Sequence, residues 1–280
     1  MKALSFTIPK SKKDAILLQE DLGDRFYEQF HQHEEIQLSW IKHGSGKLIV
    51  GDSVSPYEKD AIVVLGGNVP HVFKSDRSQV GPSHMLTIFF TEASFGPQFF
   101  ETEELRRLRS FFTKAGSGFQ LEGQHKAIEE LFEQLFTVSK LDRFILFIQL
   151  LKQINNKKFE LLSRFPSKKY SDNDGKRMSA VYEFTINNFK EEISLGTIAK
   201  EAAMTKNAFC KYFKKRTRKT YVEFLNELRI EEACRLLQQE HEMPIAQVAE
   251  ASGFQNISNF NRTFKKSKQQ TPRNYRQQFS

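Results

Sequence analysis

The sequence predicts an α+β fold with two parts: an N-terminal β-barrel or sandwich that ends in a helical hairpin, and a C-terminal all-α domain. Three observations support this prediction. Short apolar runs alternate with glycine-rich turn signals over residues 1–98, a helical motif occurs twice near the C-terminus, and the formal net charge of +8 lies on the duplicated part. A chain of 280 residues is long enough for two domains, each with its own core.

Five short apolar runs predict the strands of the N-terminal part. They are separated by turn signals that contain glycine, and they occupy residues 38–41, 47–50, 61–65, 72–73 and 85–90. Evenly spaced short strands of this kind are typical of a β-barrel or a β-sandwich. We therefore expect the β-structure to occupy residues 1–98.

Residues 101–156 change to a helical periodicity. Segment 101–113 is amphipathic, segment 116–123 is predicted to be a turn, and helices are predicted over 125–138 and 141–154. The last of these segments is apolar on nearly all sides. Because a barrel can cover only one face of a helix, the other face either packs within the monomer or forms a dimer interface.

A polar segment with Pro and Gly, residues 163–177, predicts a linker between the two parts. A helix predicted over 178–189 begins the C-terminal core. The predicted domains are therefore residues 1–162 and residues 178–280.

The C-terminal part contains a duplicated unit. At an offset of 50, Ile198 and Ala199 match Val248 and Ala249, while the Phe-Lys-Lys that begins at Phe213 recurs at an offset of 51. The difference of one residue predicts an insertion in the turn of the second copy. A duplicated element of this length predicts two helix-turn-helix units, at about residues 194–217 and 244–267.

Local signals predict the helix ends and the buried faces of both units. Ser194, Thr205 and Asn256 are predicted N-caps, and Gly253 permits a tight turn that Ala203 has to make in the first copy. The predicted buried faces of the second helices consist of Phe209, Tyr212 and Phe213, and of Ile257, Phe260 and Phe264. A helix predicted over 222–238 connects the units and spans about 25 Å.

The outward face of each second helix is polar and basic, which predicts contact with DNA. The candidate residues are Lys206, Asn207, Cys210, Lys211, Lys214 and Lys215 in the first unit, and Asn256, Ser258, Asn259, Arg262, Lys265 and Lys266 in the second. Asn pairs with adenine edges, Arg and Lys pair with guanine, and the cations can hold phosphate. The alternative is a helix face that only contacts solvent. This alternative would require the same polar and basic pattern at matching positions of both copies.

The charge distribution supports the same partner. Residues 1–175 contain 23 Lys and Arg and 23 Asp and Glu, whereas residues 176–280 contain 19 and 11. All of the excess positive charge therefore lies on the duplicated region, as expected for a surface that binds a polyanion.

Five segments of the C-terminal part resemble the DNA-binding domain of the arabinose-regulator (AraC/XylS) family of bacterial transcription factors. They are ISLGTIAKEAAMT, AFCKYFKK, ELRIEEACRLL, IAQVAEASGFQNISNFNRTFKK and TPRNYR. The resemblance implies that the first helix of each unit braces the DNA backbone and that the second enters the groove. It assigns base-reading positions to Asn207, Cys210 and Lys211, and to Ile257, Ser258 and Arg262.

The sequence departs from this family's pattern at two positions. Where the family often has Gly, five residues after each Phe of Phe-Lys-Lys, this chain has Arg218 and Gln269. Either a non-glycine residue adopts the left-handed conformation there, or the helix ends differently.

The N-terminal part resembles a cupin barrel through His31-x-His33-x-Glu35-x-Gln37 and the later Pro-His at 70–71. Cupin enzymes hold a metal with two His, a carboxylate and a third His, but here the carboxylate is out of register. Three interpretations stay open: a metal site, a structural cluster, and an effector pocket. The family resemblance favours the pocket, with no metal or cofactor and with His31, His33, Glu35, Gln37, Trp40 and His71 as candidate lining residues.

The resemblances together imply a transcription regulator that is not an enzyme. We expect a homodimer that binds double-stranded promoter DNA and a small-molecule effector and, if it is an activator, also RNA polymerase. The alternatives are a metal-dependent cupin enzyme with an accessory nucleic-acid-binding module, and a DNA-bending architectural protein. Cys210 and Cys234 form neither a metal pattern nor a disulfide framework, and no apolar run approaches the ~20 residues of a membrane span, so a cytoplasmic location is expected.

Overall fold

The computed structural model of the chain describes residues 4–5, 8, 14–51, 53–76, 81–163 and 172–279. It divides into two compact units, Leu4–Asp172 and Asn173–Ser280. Residues 164–171 of the predicted linker lie outside the described residues. Within the described part of the chain, no helix combines the length and the apolar character that crossing a membrane requires.

Two facing sheets form the β-part of the first unit. One contains five strands in the order β1-β3-β8-β5-β6, and the other contains six in the order β11-β10-β7-β4-β9-β2. All neighbouring strands are antiparallel except the short pair of β1 and β3. The strands are β1 (Leu4–Ser5), β2 (Leu17–Gly23), β3 (His31–Gln32), β4 (Ile36–His43), β5 (Gly46–Val50), β6 (Ser53–Tyr57), β7 (Ile62–Leu65), β8 (His71–Ser75), β9 (Ser83–Phe90), β10 (Phe119–Leu121) and β11 (Phe159–Leu161).

Three α-helices cover the outer face of the six-stranded sheet. They are α1 (Arg109–Ala115), α2 (Lys126–Thr137) and α3 (Lys140–Asn155), and two 3₁₀ turns, Phe99–Glu101 and Glu103–Leu108, precede them. Ser139 caps α3, with its hydroxyl oxygen accepting from the Asp142 N–H at 3.3 Å.

Alternation along β4 assigns each side chain to one of two cores. Ile36, Leu38 and Trp40 belong to the core between the six-stranded sheet and the helices. Ile41 belongs to the core between the two sheets. Successive side chains of a strand point to opposite faces, so Gln37 and Ser39 face the space between the sheets.

In the described part of the chain, seven helices form the second unit. They are α4 (Asp172–Asn188), α5 (Leu195–Glu201), α6 (Lys206–Thr217), α7 (Tyr221–Gln239), α8 (Ile245–Ala251), α9 (Ile257–Lys268) and α10 (Pro272–Arg276). The helix α4 thus begins at Asp172, inside the predicted linker and six residues before its predicted start.

The long helix α7 contributes to the cores of both helix-turn-helix units. Its N-terminal half places Tyr221 and Phe224 against Phe213, with ring centroids 5.5 and 5.7 Å away. Its C-terminal half packs against the second helix-turn-helix unit in a separate core. This core consists of Ile230, Ala233, Cys234, Leu236, Leu237, Val248, Ala249, Phe254, Phe260 and Phe264. A capping box of Thr220 and Glu223 fixes its start.

The structure confirms all five predicted strands and the predicted connecting helix, and it corrects the boundary of the β-structure. Residues 116–123 were expected to be a turn, but they contain β10, which pairs with β7 and β11. The sheet therefore includes two strands from beyond residue 98: β10 lies in the predicted turn, and β11 follows the predicted helices. Most of segment 101–113 is 3₁₀ rather than α-helical. The helix α10 was not predicted.

Candidate nucleic-acid interface and barrel cavity

A cavity of about 170 Å³ lies inside the barrel, which consists of the two facing sheets of the first unit. Strands of both sheets line this cavity. Aromatic rings form part of its wall, among them Tyr27, Phe73 and Phe89. Its polar lining residues are Gln19, Asp21, His31, Gln37, His71 and Thr87. An apolar, aromatic wall with a few fixed polar groups is the usual construction of a site for a small organic molecule.

A buried chain of hydrogen bonds fixes one polar side of the barrel interior. The Gln37 amide nitrogen donates to Ser39 Oγ at 2.9 Å, and Ser39 Oγ lies 3.1 Å from Thr87 Oγ1. At the other end, Gln37 Oε1 lies 3.1 Å from His33 Nε2. These side chains are nearly inaccessible to solvent, so their positions are set before any ligand arrives.

Three of the predicted lining residues, His31, His33 and His71, form a buried cluster. Their ring centroids are 4.3 to 5.8 Å apart. Burial is the main cause that lowers the pKa of each ring, to about 4 for His31 and well below the ordinary value for His71. All three imidazoles are therefore neutral near pH 7.

The structure corrects the placement of two predicted lining residues. Trp40 does not face the cavity: it packs in the helix-covered core, with its ring centroid 6.2 Å from that of Phe132. Glu35 is half-buried, and its carboxylate approaches His33 at Nδ1, 3.9 Å away, on the side of the ring that faces away from Gln37. Of the six candidates, His31, Gln37 and His71 line the cavity.

Asp21 is the acidic group of the cavity wall. Its two carboxylate oxygens accept from the Gln19 amide nitrogen at 2.8 and 3.1 Å. Burial raises the pKa of Asp21 and outweighs the opposite effect of the Gln19 hydrogen bond. Gln19, Asp21 and Thr87 were missed by the sequence analysis, although the alternation of Gln19 and Asp21 with Leu18 and Leu22 in one strand is a detectable signal.

In the C-terminal compact unit, Asn173–Ser280, the turns of the two helix-turn-helix units have the same geometry. The Met204 N–H donates to the Ala199 carbonyl at 2.9 Å, and the Phe254 N–H donates to the Ala249 carbonyl at the same distance. Ala203 and Gly253 both have a positive φ. The inserted residue of the second copy is Gln255, directly after this turn, which confirms the position predicted from the change of offset.

Side-chain caps start both second helices at the predicted residues. Thr205 Oγ1 accepts from the Ala208 N–H at 3.4 Å. Asn256 Oδ1 accepts from the N–H groups of Ser258 and Asn259, at 2.8 and 3.1 Å. Ser194 caps α5 in the same way, through the Thr197 N–H. Each of these oxygens satisfies backbone donors that the helix itself leaves unpaired.

All twelve predicted DNA-contacting side chains lie on the surface of α6, of α9 or of the residue that caps α9. The buried faces of these helices contain Phe209 and Phe213, and Phe260 and Phe264. Ile257 was predicted to be buried, but its side chain is 43% exposed at the first position of α9. The guanidinium of Arg262 donates to the Asn259 side-chain oxygen at 3.0 Å, which orients it along the exposed face.

Both second helices end in a left-handed residue. Arg218 has φ 60° and Gln269 has φ 59°. Of the two possibilities that the departure from the family pattern allowed, the structure shows the first: a non-glycine residue takes the conformation for which Gly is usual.

A comparison with known protein families agrees with this geometry. Residues 198–278 match the model of a family described as a helix-turn-helix domain. The C-terminal unit therefore contains a helix-turn-helix domain. The matched residues begin in α5 and extend beyond α10, so they include the second helices of both units.

Named relatives of the chain are transcription regulators. The HTH-type transcriptional activator RhaS of Pectobacterium carotovorum is 29% identical over 133 residues, which are 48% of this chain and 45% of that protein. The HTH-type transcriptional regulator YdeC of Bacillus subtilis is 22% identical over 263 residues, 89% of this chain and 86% of YdeC. The chain thus matches less than half of the length of RhaS.

The chain is also similar to a solved structure. The structure is of a transcriptional regulator with an AraC-type DNA-binding domain from Chromobacterium violaceum. It is 26% identical, and the match covers 37% of this chain and 92% of that chain with a TM-score of 0.35.

Within the helix-turn-helix domain, Arg229 is a positioning residue that the sequence analysis missed. Its Nε donates to the Phe189 carbonyl at 2.8 Å, and its Nη2 donates to the Glu191 carbonyl at 2.7 Å. The guanidinium therefore ties the chain just after α4 to the middle of α7. A signal was present in the sequence, since Arg229 directly follows an apolar position of the predicted connecting helix.

Proposed function

We propose that the protein is a sequence-specific DNA-binding transcription regulator. The observation that carries this proposal is the repetition of one turn geometry, with each copy presenting a capped, basic second helix to solvent. A merely structural pair of helices has no reason to repeat the same exposed chemistry. The excess positive charge of the C-terminal residues supports the same conclusion.

In this proposal α6 and α9 enter two successive major grooves on one side of the duplex. Their exposed Asn and Arg side chains read bases, and the lysines at their C-terminal ends hold phosphates. The connecting helix α7 has 19 residues and is therefore about 28 Å long, which is compatible with grooves about 34 Å apart. A stiff connector favours bent DNA, at a cost of about 1–6 kcal/mol.

We infer that the barrel cavity binds the effector, a small polar organic molecule. Gln19, Asp21 and Thr87 offer hydrogen-bonding groups, and Tyr27 and Phe89 offer ring surfaces. An effector changes DNA binding only if it has unequal affinity for two states of the chain. RNA polymerase is the expected further partner if the regulator is an activator.

We also propose a homodimer that forms through α3. Leu141 and Ile145 lie one turn apart on this helix and are 70% and 56% exposed. Exposed apolar side chains at helical spacing favour pairing with an identical face, because each copy then buries the other. Sedimentation velocity of the full chain tests this, since Ile145→Glu should shift a dimer to the monomer.

Selection from a random-sequence duplex library tests the DNA-binding proposal. The enriched sequences should contain two half-sites about 10 base pairs apart. Affinity for the selected site should fall with salt, by about 0.9 log units per log unit for each neutralised phosphate. No enrichment, together with an affinity that ignores salt, would exclude the proposal.

Two variants separate base reading from phosphate binding. Arg262→Ala should weaken binding by about 1–3 kcal/mol at the selected site and relax the choice of base at one position. Lys265→Ala should weaken binding to all sequences and reduce the salt slope by about 1. Lys59→Ala, an exposed lysine of the N-terminal unit, is the matched control and should leave both measurements unchanged.

A further inference from the structure

The three buried histidines of the barrel are arranged around one point. His31 and His71 are register partners on β3 and β8, and His33 follows directly after β3. Their ligand-capable nitrogen atoms all lie within 4.8 Å of one another. Three imidazoles that share a tetrahedral ion at about 2.0–2.1 Å would have ring centres about 5 Å apart. The observed centroid distances are 4.3, 5.2 and 5.8 Å, which lie on both sides of that value.

The backbone fixes which nitrogen of each ring is available. Every Nδ1 lies against a carbonyl oxygen, at 2.8 Å from Gln29 O for His31, 2.9 Å from Glu35 O for His33 and 2.8 Å from Val69 O for His71. A carbonyl oxygen only accepts, so each Nδ1 carries the hydrogen and the Nε2 of the neutral ring carries a lone pair. Metal-binding histidines are oriented by this kind of hydrogen bond.

The Nε2 side of the cluster contains one buried nitrogen atom that no described residue pairs with, and a side-chain oxygen close to a second nitrogen atom. His71 Nε2 is fully buried and has no hydrogen-bond partner among the residues that the structure describes. His33 Nε2 faces Gln37 Oε1 at 3.1 Å, while the Gln37 NH₂ group donates to Ser39. A buried polar atom without a partner, such as His71 Nε2, destabilises the fold. A cation bound by the Nε2 atoms would give His71 Nε2 a partner and would lie close to Gln37 Oε1.

We propose that His31, His33 and His71 bind one divalent first-row transition-metal ion through their Nε2 atoms, with Gln37 Oε1 as a neighbouring oxygen donor. Imidazole suits Zn²⁺, Co²⁺, Ni²⁺ and Cu²⁺. The donor set is neutral, because the Glu35 carboxylate lies at the Nδ1 side of His33. The proposal concerns the barrel alone and holds or fails independently of DNA binding.

Titration of the untagged full chain with Co²⁺, after treatment with a chelator, tests the proposal. One equivalent should bind and produce visible absorption, and Zn²⁺ should displace it. His33→Gln and His71→Gln should each weaken Co²⁺ binding by at least about 100-fold. The exposed His241, changed to Gln, is the matched control and should bind Co²⁺ like the wild type. A folded wild-type chain that takes up neither Co²⁺ nor Zn²⁺ would overturn the proposal.

A gain-of-affinity variant keeps the proposal testable if the histidine variants do not fold. Gln37→Glu places a carboxylate oxygen where the amide oxygen now faces His33, without altering a histidine. A site that binds a cation should then bind Co²⁺ at least about 10-fold more tightly. If the histidine cluster is only structural, Gln37→Glu should not increase the affinity for Co²⁺. Unchanged or weaker Co²⁺ binding by a folded Gln37→Glu chain, as judged by near-ultraviolet circular dichroism, would contradict the proposal.

Discussion

Ala203 and Gly253 occupy the same position in the two helix-turn-helix turns and have φ angles of 51° and 95°. Their surroundings differ. A Cβ atom on Gly253 would lie 2.7 Å from the Phe189 carbonyl oxygen and 2.8 Å from Lys190 Cα. The second turn therefore requires Gly, because backbone approaches it closely, whereas the first turn tolerates a methyl group in a strained conformation.

Opposite substitutions at these two positions should have opposite effects. Gly253→Ala should destabilise the chain by more than about 2 kcal/mol, because a backbone clash adds to the φ strain. Ala203→Gly should stabilise it by about 0.5–1 kcal/mol. Urea unfolding followed by circular dichroism measures both. Gly196→Ala in α5 is the control: its Cβ would meet only Ser194 Oγ at 3.5 Å, so stability should not fall.

Glycine at the left-handed ends of the second helices should also stabilise the domain. Arg218→Gly and Gln269→Gly should each raise the free energy of unfolding by about 0.5–1 kcal/mol, because a Cβ atom is disfavoured at these φ angles. Arg218→Ala separates the backbone effect from loss of the side chain, since it keeps the Cβ. If the Ala and Gly variants of Arg218 unfold at the same urea concentration, the backbone is not strained there.

The two N-caps should differ in their contribution to stability. Asn256 accepts two backbone N–H groups at 2.8 and 3.1 Å, whereas Thr205 accepts one at 3.4 Å. Asn256→Ala should therefore cost about 1–2 kcal/mol, and Thr205→Ala about 0.5 kcal/mol. Thermal unfolding of the two variants gives the comparison. A larger loss for Thr205→Ala would contradict the interpretation of these distances.

Removal of the Asp21 charge should stabilise the barrel at neutral pH. Burial raises the pKa of Asp21 in the folded chain above its unfolded value, so folding favours the protonated form. The stability that this preference contributes is present below the unfolded pKa and is lost as pH rises through the folded pKa. Asp21→Asn should therefore raise the unfolding temperature at pH 7 and flatten its decline between acidic and neutral pH. Asp24→Asn, at an exposed position, is the control for removal of a carboxylate that is not buried, and it should leave the unfolding temperature at pH 7 unchanged.

The helix-turn-helix units could be predicted almost completely because their signals are local. Caps at Ser194, Thr205 and Asn256 and the positive-φ turns at Ala203 and Gly253 follow from residue type and spacing. The strands β10 and β11 could not be predicted in this way. Each has three residues, and each is defined by hydrogen bonds to a partner about 40 or more residues away in the sequence.

Two wrong predictions have different causes. Gln37 and Trp40 were assigned to one pocket, although they are an odd number of residues apart on one strand and so must face opposite sides. The sequence contained enough information to avoid that error. Ile257 is different, since it has the same helical spacing as Phe260 and Phe264. Periodicity gives the direction of a side chain around the helix axis, but it does not show where the core ends along that axis.

The sharing of α7 between two cores has a consequence for how this domain can evolve or be engineered. Each helix-turn-helix unit needs one half of α7 to complete its hydrophobic core. Neither unit is therefore expected to fold as an isolated fragment. Loss of the second helix-turn-helix unit would expose the apolar side chains of the C-terminal half of α7, from Ile230 onward. The pair should melt as a single transition, and a chimaera that exchanges one unit must exchange the matching half of the connector with it.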